Sequence, residues 1–255
     1  MNWLFHRSTF NVCTLLVVTL LFGCNDSDDS NDPGSQDSEP GYVRGTVVDS
    51  RDNALPGVSI ILDNTVFGNT YVTAVTDERG EYKINVPNIG VWAAYATHIF
   101  QYDGLEYEMY LRPDTAEGFV ANESVVRDFT WELTGKKPLP LWGYFGGSIE
   151  IVKGIGSKIF DPRNIIFTFT PTAPLIDGST GEVIITKCDS DNKIQDLPMG
   201  RYKITAEYHA AEGVTPVLLS DYFTQSEFAR ELELPFSPHT PLCDNCMILL
   251  YKEVI

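Results

Sequence analysis

Short segments in which apolar and polar residues alternate constrain this 255-residue chain more than any other feature. A period of two is the pattern of a β-strand that buries one face. Pro56–Gly57 and Thr76–Gly80 supply turn residues between such segments, so neighbouring strands are expected to be antiparallel. The strands predicted in the first half are 42–48, 58–62, 70–75, 81–86, 91–95, 105–111 and 125–133. Seven short strands with few helix signals favour a β-sandwich over residues 41–134.

A second set of alternating segments follows the proline-bearing connector 135–140. These predicted strands are 148–152, 165–170, 182–186, 202–208, 228–234 and 247–251. Residues 177–181 are predicted to form a hairpin turn. The segment 194–205 is similar to residues 84–90 and the strand that follows them, so the second half is either a diverged copy of the first or an unrelated sandwich. We therefore predict an all-β protein with two tandem antiparallel β-sandwich domains, the second over residues 135–255.

The first 23 residues have the pattern of a signal peptide, with Arg7 ahead of the apolar run 12–22. That run is shorter than the roughly 20 apolar residues that a membrane-spanning helix needs. It ends in Leu21-Phe22-Gly23-Cys24, which resembles the lipobox of bacterial lipoproteins. The resemblance implies cleavage before Cys24, a diacylglycerol on its thiol, a further acyl chain such as palmitate on its amine, and therefore a membrane partner. The alternative is an ordinary secretory signal beside a chance cysteine.

Residues 24–40 are predicted to form a solvated, extended tether after that cysteine. Residues 25–40 hold six acidic residues, no basic residue and no side chain that could seed a core. The cluster Asp26, Asp28 and Asp29 resembles the export signals that send lipoproteins of the Bacteroidetes type to the outer cell surface. This resemblance implies a location at the bacterial outer membrane, on the cell surface. The alternative is a spacer that only holds the folded part away from the bilayer.

Three segments of the first half resemble the carboxypeptidase regulatory-like domain, a prealbumin-like (transthyretin-like) β-sandwich. They are Gly45–Asp49, Leu55–Ser59 and Thr76–Pro87, and the match extends over roughly residues 41–97. The resemblance implies an accessory module of the kind found beside peptidases and in surface proteins. Such modules carry no catalytic residues of their own.

The charge of the chain argues against one class of partner. It carries 35 acidic and 18 basic residues, which give a net charge of -17. A field of this sign repels the phosphate backbone of nucleic acids and the anionic face of a bilayer. We therefore expect no nucleic-acid partner. The chain also has no glycine-rich nucleotide-binding motif and no nucleophile-elbow motif.

His209 and Glu212 have the His-x-x-Glu spacing of zinc carboxypeptidases. A catalytic zinc site needs three protein ligands and an open position, and the residues around this pair are strand-like, whereas the peptidases need a helical body. We expect His209 to lie at the end of a strand, before a turn at Glu212 and Gly213. No enzyme activity, no metal site and no cofactor is predicted.

The cysteines Cys188, Cys243 and Cys246 remain after removal of the signal peptide and lipidation of Cys24. Outside the cytoplasm the first expectation is a structural disulfide. Cys188 would pair with Cys243 or Cys246 as a long staple, or Cys243 would pair with Cys246. The same cysteines could instead form a redox motif, or a metal site together with His239.

Aromatic residues supply the candidate binding residues. Tyr102 lies in one aromatic cluster, and Trp142, Tyr144 and Phe145 lie in a glycine-rich loop. Aromatic rings on the loops of a β-sandwich can stack on sugars or anchor a protein partner, although filling of the core between two sandwiches is the alternative.

The sequence therefore predicts a non-enzymatic, membrane-anchored surface lipoprotein that acts as a structural or binding module of a bacterial envelope, with a protein or glycan partner. A carbohydrate-binding accessory protein is the alternative. A zinc-dependent hydrolase is the third possibility.

Overall fold

The computed structural model describes residues 40–254, and the ordered elements there are almost all β-strands. The first half holds β1 (Tyr42–Val48), β2 (Ser59–Asn64), β3 (Tyr71–Val75), β4 (Glu81–Asn85), β5 (Trp92–Tyr102), β6 (Leu105–Tyr110), β7 (Arg112–Pro113), β8 (Val125–Val126) and β9 (Phe129–Thr130). The second half holds β10 (Gly147–Lys153), β11 (Ile165–Pro171), β12 (Ile184–Thr186), β13 (Lys193–Leu197), β14 (Arg201–Ala210), β15 (Gly213–Asp221), β16 (Leu232–Pro235), β17 (Ser237–His239) and β18 (Asp244–Glu253). A single 3₁₀ turn, Pro162–Asn164, is the helical element of residues 40–254. The predicted all-β fold class is confirmed.

The predicted signal peptide and all but the last residue of the predicted tether lie outside the described residues. Cys24, Asp26, Asp28 and Asp29 are among them. Within residues 40–254, no helix has the length and apolar character needed to cross a membrane.

Two sheets form the first half. One has the order β3-β2-β5-β6 and is antiparallel throughout, and the other has the order β4-β1-β9-β7, with β8 also paired to β1. Alternate side chains of β2 and β4 are buried, as their period of two predicts. Ile60 and Leu62 of β2, Val43 and Val47 of β1, and Trp92 of β5 are almost fully buried. Their burial places the core between the inner faces of the two sheets.

The strands of the second half form one nine-stranded sheet. Its order is β12-β11-β14-β15-β18-β10-β13, with β16 paired to β14 and β17 paired to β18. β16 pairs with β14 and β17 pairs with β18, and only the buried Phe236 lies between β16 and β17. The chain therefore changes its pairing partner within a few residues. β15 also pairs with both β14 and β18. The buried side chains of these strands form the core of the second half.

Three strand pairs are parallel, which the expectation of antiparallel domains did not include. They are β1 with β8, β1 with β9, and β10 with β18. The pairing of β10 with β18 joins strands almost a hundred residues apart. Alternation along a strand indicates which face is buried but carries no information on the direction of a distant partner, so the sequence pattern could not reveal these pairs.

Most predicted strands lie within a few residues of observed ones, and the exceptions have local causes. The predicted strand 125–133 is interrupted between β8 and β9, because Asp128 turns its carboxylate to the backbone N–H of Thr46 at 2.7 Å. The Arg127 carbonyl there accepts a hydrogen bond of 2.7 Å from the hydroxyl of Tyr82. Four strands, β7, β13, β15 and β17, were not among the predicted set. β15 contains Pro216 and lacks regular alternation.

Within residues 40–254 no sheet contains strands from both halves, yet the buried side chains of the two halves form one hydrophobic cluster. Residues 40–254 all belong to one compact unit. The hydroxyl of Tyr107 on β6 donates a buried hydrogen bond of 2.7 Å to the carbonyl of Phe236. The division into domains 41–134 and 135–255 stays a prediction, because the halves are separate in their sheets and joined in their core.

Gly45 offers a test of the close packing in the first half. A Cβ atom at this position would overlap the backbone oxygen of Arg127, whereas a Cβ at Gly68 would meet nothing within 4 Å. We expect Gly45→Ala to lower the free energy of unfolding by about 2–3 kcal/mol, as overpacked sites do. Gly68→Ala should change it by less than about 0.5 kcal/mol. Urea unfolding monitored by tryptophan fluorescence measures both, and equal stability of the two variants would contradict the described packing.

Candidate binding cleft

The glycine-rich aromatic segment folds as a tight hairpin. The N–H of Lys137 donates to the carbonyl of Gly143 at 3.0 Å, and the N–H of Phe145 donates to that of Gly135 at 2.8 Å. Residues 135–145, here named the Trp142 hairpin, include the predicted connector, so that segment is part of the candidate site as well as a link between the halves. Trp142 lies near the tip, and 83% of its surface is exposed.

Asp196 on β13 holds the base of the Trp142 hairpin. Its Oδ1 accepts hydrogen bonds from the backbone N–H groups of Gly135 at 2.8 Å and Gly146 at 3.2 Å, and its Oδ2 lies 2.9 Å from the Gly135 nitrogen. Gly146 is needed there, because a Cβ would come within 2.9 Å of the Asp196 carboxylate. Sequence reasoning missed Asp196. Its backbone has a φ of +66°, which nothing in the alternating pattern of its strand indicates.

Phe145 packs into the protein at the base of the hairpin. Only 4% of its surface is exposed, and the guanidinium carbon of Arg112 lies 4.8 Å from its ring centroid. The ammonium of Lys137 lies 6.0 Å from the same centroid and 5.3 Å from that of Tyr110. Burial lowers the pKa of Lys137. Phe145 lines the inner wall of the cleft described below, but its ring is almost fully buried, whereas Trp142 is exposed and Tyr144 is half-buried. The role of Phe145 as a binding residue stays a prediction.

A cleft of about 650 Å³ lies beside the Trp142 hairpin. Its walls combine aromatic rings with charged and amide groups. The lining side chains with these properties are Tyr110, Trp142, Tyr144, Phe145, Glu106, Glu108, Asp196, Asp244, Lys137, Lys193, Gln195, Asn245 and His239. The cleft can therefore offer both stacking surfaces and hydrogen-bonding groups to a polar ligand.

Both halves of the protein contribute to this cleft. Glu106, Glu108 and Tyr110 come from β6, and the other lining residues come mainly from the hairpin, β13, the end of β17 and the start of β18. The amide nitrogen of Asn245 donates to the carbonyl of Glu108 at 3.2 Å, which fixes β18 against β6. The amide oxygen of Asn245 is buried, with no hydrogen-bond partner within residues 40–254. The imidazole Nδ1 of His239 lies 2.6 Å from the Asp244 carboxylate at the exposed rim.

Tyr102 is not among the residues that line the cleft, and its role as a binding residue stays a prediction. Its hydroxyl donates to the carbonyl of Pro174 at 2.9 Å and accepts from the N–H of Arg201 at 3.0 Å. The guanidinium of Arg201 also pairs with the carboxylate of Asp103. Tyr102 therefore joins the first half of the chain to the second. Its hydroxyl is occupied by these contacts, as the alternative of packing between sandwiches predicts.

The structure pairs Cys243 with Cys246 and leaves Cys188 unpaired and buried. The long staple from Cys188 is therefore wrong. Cys188 lies near Asp161 and Arg163, whose charges act on its thiol. It also lies near Tyr251, because burial and, to a smaller extent, the Cys188 thiol raise the pKa of that tyrosine. Tyr251 lies five residues beyond Cys246 on β18, or about 17 Å along the strand, whereas the Cα atoms of a disulfide lie within about 7 Å of each other. Burial raises the pKa of the Cys188 thiol.

The candidate metal ligands do not come together within residues 40–254, where no group of three His, Cys, Asp or Glu side chains is placed to hold a metal ion. The imidazole of His209 lies 3.6 Å from the carboxylate of Glu207, near the end of β14, as the expected strand end predicts. Glu212 lies in the turn that leads to β15. His239 pairs with Asp244, and the disulfide occupies two of the three thiols of the proposed cysteine site.

Comparisons with known proteins give only weak similarities. No protein family model and no curated protein matches the chain. Among solved structures, the Bacillus anthracis TIE protein shares 13% identity with a TM-score of 0.34, over 84% of this chain and 34% of that one. A streptococcal ancillary pilin shares 12% with a TM-score of 0.27, over 84% and 62%. BcpA, the major pilin subunit of Bacillus cereus, shares 10% with a TM-score of 0.24, over 85% and 100%. Similarity at this level assigns no function to the chain.

The cysteine arrangement gives a direct prediction. Mass mapping without reduction should recover a peptide pair joining Cys243 to Cys246, with Cys188 unlinked. Replacing both bonded cysteines by serine should lower the free energy of unfolding by about 2 kcal/mol, because so short a loop restrains the unfolded chain only modestly. Cys188→Ala is the control and should leave the peptide pair intact. Any peptide linked through Cys188 would contradict the structure.

Proposed function

We propose that this protein is a non-enzymatic binding module on the surface of a bacterial envelope, held at the outer membrane by a lipid on Cys24. The binding surface is the cleft beside the Trp142 hairpin. The observation that carries this proposal is the exposed Trp142 ring on a hairpin whose base is fixed by Asp196 and by the buried Phe145. An exposed aromatic side chain on a rigid support loses little freedom on binding, and such residues dominate the energetics of interfaces.

The sequence around Cys24 supports the anchor. Leu21-Phe22-Gly23-Cys24 ends an apolar run of signal-peptide length, and several acyl chains on one residue hold a protein to a bilayer far better than one does. Residues 25–40 can extend over at most about 55 Å, which allows the folded part to reach well beyond the headgroups. In this proposal Asp26, Asp28 and Asp29 direct the lipoprotein to the outer face of the membrane.

A glycan is the ligand class that the lining of the cleft favours. Trp142, Tyr144 and Tyr110 offer ring faces to the apolar side of a sugar, and carboxylate, amide and ammonium groups nearby can bind its hydroxyl groups. The volume of about 650 Å³ lies in the range of small-ligand sites. A protein partner anchored by Trp142 is the other candidate, because the ring is also placed for insertion into a partner's pocket.

The cleft is tested on a glycan array with the chain from Asn25 onward, which retains every described residue. Trp142→Ala should weaken binding to any glycan retained by the parent chain about 30-fold, the loss of about 2 kcal/mol that is typical of a hot spot. Leu242→Ala removes an exposed apolar side chain that does not line the cleft, and should leave binding unchanged. Equal binding by the parent and Trp142→Ala chains would remove the cleft from the proposal.

The anchor is tested in cells by labelling with palmitate. Cys24→Ala should abolish the label and leave unprocessed precursor, because the thiol that receives the lipid is gone. Cys188→Ala, at a buried cysteine, should label and mature as the parent chain does. A Cys24→Ala chain that still incorporates palmitate and matures normally would show that the anchor is wrong.

A further inference from the structure

The two most exposed large apolar side chains of the described residues lie in one loop, which follows β10 and is separate from the Trp142 hairpin. Ile155 is fully exposed and 91% of Phe160 is exposed. Because Phe160 is the fifth residue after Ile155, the Cα atoms of the two residues lie at most about 18 Å apart. Residues 153–163 are named the basic loop here.

The basic loop is firmly attached to the protein. The carboxylate of Glu253 accepts hydrogen bonds from the hydroxyl of Ser157 at 2.9 Å and from the N–H of Lys158 at 2.7 Å. The N–H of Gly154 donates to the carbonyl of Tyr251 at 2.8 Å. Ile159 points into the core, with 5% of its surface exposed. The exposure of the neighbouring Ile155 and Phe160 is therefore a property of a fixed loop.

The charge of the basic loop differs from that of the rest of the chain. Lys153 and Lys158 are exposed and form no ion pair within residues 40–254, and Arg163 pairs with Asp161 at 2.7 Å. The whole chain carries almost twice as many acidic as basic residues. Even with Asp161 and the attached carboxylate of Glu253 counted, Lys153, Lys158 and Arg163 leave an excess of positive charge at this loop. The loop therefore combines basic groups with two exposed apolar side chains on an acidic protein.

We propose that the basic loop is a second contact site, which docks the folded part on an anionic lipid surface. Exposed aliphatic and aromatic side chains flanked by lysines insert at the boundary between headgroups and acyl chains, while the ammonium groups attract lipid phosphates. The acidic tether of this chain offers no apolar side chain to cover Ile155 and Phe160. The proposal rests on the membrane anchor proposed above, since a tether supplies the local concentration that so small a patch needs.

The acidic remainder of the surface gives this contact a direction. The net charge of the chain opposes approach to an anionic bilayer, but charges farther from it than about 8–10 Å are screened at physiological salt. Contact through the basic loop brings Lys153 and Lys158 within that distance and leaves most acidic groups farther away. The folded part therefore docks in one orientation, with Phe160 toward the lipid.

The test attaches the chain from Asn25 onward to vesicles by an N-terminal histidine tag and a nickel-chelating lipid, so that it is independent of acylation at Cys24. The vesicles contain phosphatidylcholine and phosphatidylglycerol with brominated acyl chains, which quench nearby tryptophan. In a Trp142→Phe background, Phe160→Trp should add emission that the brominated lipid quenches. Leu242→Trp, at an exposed apolar site elsewhere, should add emission that is not quenched.

Combining Phe160→Trp with Lys153→Gln and Lys158→Gln should lower the ratio of docked to undocked chains about 30-fold, because each lysine near an anionic surface contributes roughly fivefold. Vesicles of brominated phosphatidylcholine with the nickel-chelating lipid but without phosphatidylglycerol should give a similar loss. The proposal is overturned by equal quenching at positions 160 and 242, by quenching that survives loss of both lysines, or by a chain that instead self-associates through this loop. Failure of the Cys24 anchor would be seen separately, in the palmitate experiment.

Discussion

One buried hydrogen bond connects the two halves of this protein, and the candidate site depends on it. Tyr107 places its ring in the shared core and donates its hydroxyl to the carbonyl of Phe236. Burial raises the pKa of Tyr107 to about 12, so the hydroxyl keeps its proton and remains a donor across the neutral range. Phe236 lies between β16, which pairs with β14, and β17, which pairs with β18. The bond therefore joins an edge strand of the first half to the crossing point of the second.

The cleft follows from this joint. β6 carries Tyr107 on its buried face and Glu106, Glu108 and Tyr110 on the face that lines the cleft. Fixing Tyr107 therefore fixes the position of the opposite face, because successive side chains of a strand point to opposite sides. The opposite wall is fixed by Asp196, which holds the Trp142 hairpin. The site is thus a product of tertiary packing between segments that are distant in sequence.

This dependence explains which features the sequence could predict. Local alternation located β1, β4 and β11 closely, because burial of one face of a strand is visible in five to seven consecutive residues. The parallel pairing of β10 with β18 and the role of Asp196 are set by long-range contacts, which leave no local pattern. Tyr102 and Phe145 look like exposed aromatic residues in sequence, and only the folded structure shows the contacts of the Tyr102 hydroxyl with the second half and the burial of the Phe145 ring. Trp142 is exposed, as its place in a glycine-rich loop suggested, and its role in binding stays a prediction.

The most direct test of this account is whether the halves unfold together. Hydrogen exchange in increasing denaturant, read separately for peptides from residues 41–134 and 135–255, reports the stability of each half. The account predicts one common unfolding free energy for the core strands of both halves. It also predicts that Tyr107→Phe lowers this value in both by about 1–3 kcal/mol, because the Phe236 carbonyl loses its buried donor. Separate unfolding of the halves, or an effect of Tyr107→Phe confined to residues 41–134, would contradict it.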